Sequence, residues 1–153
     1  MPDDEESRLD RKIRHETLLR DIEPLWDALD SAVKRTCDKL TAVYNSALTS
    51  KLNDHSSAIR VKYLESLLPA EHSQVERTLE IRIVRDDKLL VVRITKQHSR
   101  SQRIEDESEP LRYRINADID ANTLYFADST KKRYTPVELA EELVVKKLVK
   151  REL

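Results

Sequence analysis

Apolar residues recur every three or four positions along the first part of the chain and every second position along much of the rest. From Ile22 the apolar set continues through Leu25, Trp26, Leu29, Val33, Cys37, Leu40, Tyr44 and Leu48, which is the spacing of one helix face. Asp21 stands where a cap is needed, and Pro24 falls in the first turn, where a missing N–H costs little. This pattern predicts one long helix from Asp21 to Leu52, with Asn53 in the C-cap role that glycine usually fills. A second helix is expected over Ser57–Leu68, with Ile59, Tyr63, Leu64, Leu67 and Leu68 on one face and Pro69 as its stop. Residues 1–20 are dominated by charge. Ser7 and Asp10 could cap a short helix there, but Leu9, Ile13 and Leu18 give it a thin apolar face, so a frayed extension is expected.

The period then changes to two. Leu79, Ile81 and Ile83 alternate with Glu80, Arg82 and Val84, and the run Leu89–Ile94 follows across Asp86-Asp87, predicting a hairpin. Leu111, Tyr113, Ile115 and Ala117 alternate with Arg112, Arg114, Asn116 and Asp118, and Leu124–Phe126 returns after an Asp120–Asn122 turn. Arg133-Tyr134 adds a short edge strand. Between the hairpins, residues 97–110 are polar and read as a mobile loop. Thr135, Pro136 and Glu138 form a capping box with a proline start. They open a C-terminal helix whose apolar face is Val137, Ala140, Leu143, Val144 and Leu148.

The expected fold is therefore α+β: N-terminal helices, one of them long, then a four-stranded antiparallel β-meander, then a C-terminal helix on one sheet face. In domain terms, residues 1–20 form an extension to a single domain over 21–153. That domain has a helical part at 21–68, the meander at 78–134 and the last helix at 135–151.

Composition narrows the function. The 153 residues include no glycine, so phosphate-cradling loops, dinucleotide fingerprints and nucleophile elbows are missing. The missing left-handed turn residues leave Asn and Asp to serve instead. Charged residues make up 37% of the chain, yet the net charge is −1, which gives no global pull toward nucleic acid or membrane. A single cysteine excludes an internal disulfide. With no long apolar run and no signal-like N-terminus, a soluble cytoplasmic protein is expected, without membrane association.

Candidate chemistry is thin. Asn116, Asp118 and Asp120 alternate like the start of a calcium loop, but Ala121 and Ala127 stand where glycine and a bidentate Glu are needed. His15, His55, His72 and His98 lack metal-ligand spacing. Cys37, on a core stripe, reads as a small buried residue rather than a nucleophile. The carboxylate clusters Asp86-Asp87, Glu105-Asp106-Glu107 and Glu141-Glu142 fall where solvent is expected. No cofactor or metal is implied, and the expected protein is non-catalytic.

Two surfaces remain. Leu89 and Val91 have the opposite parity to Leu90, Val92 and Ile94, so one set faces away from the first core layer. With Trp26 and Tyr44 on the long helix, they are the expected contacts of a protein-interaction or adaptor domain that forms a homodimer. The alternative is nucleic-acid binding through Arg82, Arg93, Arg112 and Arg114 on the outer sheet face.

Overall fold

The computed structural model describes residues 3–44, 47–52, 57–66, 74–98 and 103–150. Two helices come first, α1 (Asp3–Leu19) and α2 (Glu23–Tyr44). Four strands follow: β1 (Ala47–Leu52), β2 (Ala58–Ser66), β3 (Gln74–Val84) and β4 (Leu89–His98). After them come β5 (Ile104–Asp106), β6 (Leu111–Asp118), β7 (Thr123–Ala127) and β8 (Arg133–Tyr134). Helix α3 (Pro136–Ala140) runs directly into a π-helical segment, Glu141–Val149.

All strands join one curled antiparallel sheet in the order β1-β2-β3-β4-β6-β7-β8, with β5 also paired to β4. Strands β5 and β6 share one side of β4, β5 against Thr95–Gln97 and β6 against Leu89–Val92. The protein is thus α+β, but the expected four-stranded meander is wrong. Three described helices accompany a wider sheet.

The difference arises in the first half of the chain. The long helix stops at Tyr44, and Leu48 and Leu52, which continue its spacing, lie in β1 opposite Tyr63 and Ile59 of β2. Thr49 and Ser50 between them are weak helix formers, and the ladder to β2 satisfies their backbone instead. Where the helix over Ser57–Leu68 is expected, residues Ala58–Ser66 form β2. Its strand period was present in Ile59, Val61 and Tyr63, all buried, alternating with Arg60 and Lys62. Asn53 and Pro69 lie outside the described residues.

The core lies between the inner sheet face, helix α2 and the C-terminal helical segment. Helix α2 contributes Leu25, Trp26, Leu29, Val33, Cys37 and Leu40, all buried. Facing them are Ile59, Val61, Leu79, Ile81, Leu90, Val92, Tyr113, Ile115 and Phe126. Thr135 caps α3 by accepting from the Glu138 N–H, and the Glu138 carboxylate accepts from the Thr135 N–H. Val137, expected on the apolar face, is instead exposed. Leu139, Ala140, Leu143, Val144, Val145, Leu148 and Val149 are buried. Their four-to-five-residue spacing is wider than an α-helix turn, and i→i+5 bonding, as from the Lys150 N–H to the Val145 carbonyl, keeps them on one side.

Without glycine, left-handed backbone falls to Lys88, Asn122, Lys131 and Lys150. Only one of these is the expected asparagine; the rest are lysines.

The 97–110 stretch is partly anchored, contrary to expectation. Beyond the β5 pairing, the Glu107 N–H donates to the Ile94 carbonyl at 2.9 Å. The Glu107 carboxylate lies 2.6 Å from Arg77 Nε and 3.5 Å from Lys150 Nζ.

Candidate functional site

The strand register assembles one surface from residues that the sequence assigned to two. Arg82 on β3 pairs with Val91 on β4, and Val91 pairs in turn with Arg112 on β6. One step along, Leu89 pairs with Val84 and Arg114. One step the other way, Glu80 lies between Arg60 on β2 and Arg93 on β4. Directly paired residues point to the same side of a sheet. The whole set therefore occupies the outer face, opposite Leu90, Val92 and Ile94, which are buried. Arg82, Arg93, Arg112 and Arg114 are exposed, and Leu89 and Val91 are half-buried among them.

Charge on this face is unevenly balanced. Glu80 takes Arg60 at 2.9 Å and Arg82 at 3.4 Å. Burial raises the Glu80 pKa, but the two guanidinium groups outweigh it and hold the carboxyl below its ordinary value. Arg93, Arg112 and Arg114 make no ion pair among the described residues. Glu80, Arg82, Val91 and Arg93 line a shallow hollow of about 260 Å³. Arg60 and Lys62, which the sequence reading missed because β2 read as a helix, extend the cationic side. The signal was their alternation with Ile59, Val61 and Tyr63.

The remaining candidates are positioned differently. Trp26 is 1% exposed in the core, so it offers no surface for docking. Tyr44 ends α2, and its side chain lies outside the described residues. Tyr113 and Phe126 are buried. Tyr125 shares the outer face through its pairing with Asn116, and the Arg133 guanidinium lies over its ring, 4.3 Å from the centroid.

Helix α1 borders this surface. His15 Nε2 and Asn116 Oδ1 are 2.8 Å apart, and Arg11 reaches Asp120 at 3.4 Å. The calcium-like trio is thereby occupied in building structure. Asn116 also accepts from the Ala117 N–H, while Asp118 accepts from the Ala121 N–H and from Arg133. Among the described residues no group of His, Cys, Asp or Glu converges as a metal site. His15 is half-buried, whereas His55 and His72 lie outside the described residues, as does the His98 side chain.

Cys37 is buried, and its thiol is pushed up to about 12, chiefly by burial and secondarily by Asp38. That suppresses the thiolate a nucleophile needs. A second hollow, about 310 Å³, lies by Tyr113, Tyr134, Asp128 and Glu142. Three of its polar groups are already engaged: the Tyr134 hydroxyl donates to Asp128 at 3.1 Å, and Glu142 takes Lys146, outside the hollow, at 3.4 Å. No helix among the described residues is long and apolar enough to cross a membrane.

Comparison with known protein families, curated proteins and solved structures finds no match for this chain.

Proposed function

We propose that this protein is a non-catalytic protein-binding module whose outer sheet face docks a partner surface that is apolar at its centre and acidic at its edge. One observation carries the reading: Val91 stands in a cross-strand row between Arg82 and Arg112. Apolar side chains ringed by arginine are the composition of protein interface centres, where arginine is enriched and lysine depleted. Two such faces opposed directly would set arginine against arginine. Complementarity therefore calls for carboxylates on the partner.

The same arginines support nucleic-acid binding as a second reading, because they lie together on an open sheet. Stacking platforms are needed for single strands. Among the described side chains, Tyr125 is the aromatic on that side, and Arg133 already lies over it.

The test is a photo-crosslinking amino acid at position 91, with Lys131 as an exposed control site. A discrete protein adduct at 91, absent at 131 and lost with Arg82→Glu/Arg112→Glu, supports the reading. Adducts to nucleic acid, or no difference between the two sites, would overturn it.

A further inference from the structure

We infer that the hollow beside Tyr113 and Tyr134 binds an N-acylated α-amino acid, the group that ends a peptide chain, by completing a sheet rung that the strands leave open. This site is separate from the outer-face docking surface and does not rest on that reading.

The register sets the open rung. The Ile115 N–H donates to the Lys88 carbonyl at 2.8 Å, toward β4. Backbone groups alternate sides along a strand, so those of Arg114 and Arg112 point the other way, toward β7. Arg114 meets Ala127 there, the last pair of the β6–β7 ladder. The next pair would join Arg112 to Ser129. It does not form, because the chain turns at Asp128. The Asp128 N–H donates to the Lys132 carbonyl, and the Asp128 carbonyl accepts from the Lys131 N–H, both at 3.0 Å. The Arg112 N–H and carbonyl therefore face the hollow with no strand beside them among the described residues. Pro110, one rung further, has no N–H to leave unpaired, which suits an edge position.

The side chains around the rung give its ligand a sign. Asp128 is occupied by the Thr130 and Lys132 N–H groups and by the Tyr134 hydroxyl. Glu142 takes Lys146 at 3.4 Å. Arg112 and Lys147 line the hollow too, and neither makes an ion pair among the described residues. The π-helical segment brings Lys147 there. An α-helix with a 3.6-residue turn would set Glu142 and Lys147 about 140° apart around its axis. The i→i+5 bonding draws them toward one side, and both line the same hollow. Such π-helical stretches are rare and concentrate at functional sites.

These groups select the ligand. The Arg112 N–H and the two cations call for an anionic oxygen, and the Arg112 carbonyl calls for an N–H close by. An acylated amino acid carries both on one residue. Its carboxylate replaces the missing rung carbonyl, and its amide replaces the missing rung N–H. A phosphate has no N–H for the carbonyl. A free amino acid would bring an ammonium beside Arg112 and Lys147, whose like charge opposes it. A hollow of about 310 Å³ has room for one such residue. Two sources share this chemistry, a peptide C-terminus and a free acylamino acid.

The test is a heteronuclear NMR titration of the full chain with N-acetylalanine, read at the Arg112 amide. That resonance should move, and its hydrogen exchange should slow. N-acetylalaninamide, without the carboxylate, and propionate, without the N–H, should each bind about tenfold more weakly. Lys147→Gln should weaken N-acetylalanine binding by about as much, and Lys147→Arg should restore most of it. N-acetyl-trialanine should move the same resonance. Tighter binding than N-acetylalanine supports a peptide C-terminus as the source, and equal binding supports a free acylamino acid. An Arg112 amide that stays still, propionate or the carboxamide binding as well as N-acetylalanine, or no effect of Lys147→Gln would overturn the inference.

Discussion

Val91 on β4 lies directly across the ladder from Arg112 on β6, an apolar side chain and an exposed guanidinium side by side on the outer sheet face. Val91→Glu should abolish association while leaving the fold intact. The new carboxylate gains Arg82 and Arg112 as neighbours, so stability should change by no more than about 0.5–1 kcal/mol. Thermal melting of the variant checks the fold, and sedimentation checks the assembly.

Trp26, by contrast, is a core residue. Trp26→Ala should cost about 3–5 kcal/mol in unfolding free energy, because it removes a large side chain from a site that cannot fully collapse. Urea unfolding with an unchanged slope measures it. A loss under about 1 kcal/mol would contradict the burial.

Cys37 should be inert in the folded protein. With its thiol pushed up to about 12, alkylation at pH 8 should be far slower than for an exposed cysteine and should become fast on unfolding. Rapid labelling under native conditions would contradict this.

Stability should fall on the acid side. The Arg85 hydrogen bond holds Glu23 below its ordinary value, and the Thr130 hydroxyl does the same for Asp128. Backbone bonding at Thr135 lowers Glu138. A carboxyl depressed in the folded state binds more protons when unfolded, so its contribution is complete above the unfolded pKa of about 4 and is lost as pH falls through the folded value. Melting temperature should be flat near neutrality and drop below about pH 4. Asp128→Ala should reduce that drop and lower stability at pH 7 by about 1–3 kcal/mol, because Asp128 also accepts from the Thr130 and Lys132 N–H groups and from Tyr134.

Glu107 ties the β5 segment to β3 and to the end of the C-terminal helix through Arg77 and Lys150. Glu107→Ala should leave the sheet assembled but speed hydrogen exchange at the residue 107 amide, which donates to Ile94. Unchanged exchange there would mean that the carboxylate does not hold the segment.

The legibility of this chain was uneven for physical reasons. The β3–β4 and β6–β7 hairpins were readable because alternation of Leu79, Ile81 and Ile83, and of Tyr113 and Ile115, has one structural meaning. The α3 cap was readable because Thr135, Pro136 and Glu138 act locally. Strand β2 was not: Ile59, Tyr63 and Leu64 suit a helix as well as a strand, and only pairing with β1 and β3 decides. The role of Glu107 was hidden because Arg77 and Lys150 are distant in sequence. The arginines were identifiable singly, but their arrangement around Leu89 and Val91 depends on registers that one sequence does not contain. The exposed side of α1 was equally hidden, since Leu9 and Ile13 look like any thin core stripe until the sheet takes His15 instead.

Arginine footprinting of the adduct crosslinked at position 91 is the most direct test of the central claim. Phenylglyoxal modification, read by mass spectrometry, should fall at Arg82, Arg93, Arg112 and Arg114 in the adduct relative to the free protein, while Arg103, on the separate β5 approach, keeps its rate. Equal modification of all five arginines in adduct and free protein would contradict the outer face as the docking surface.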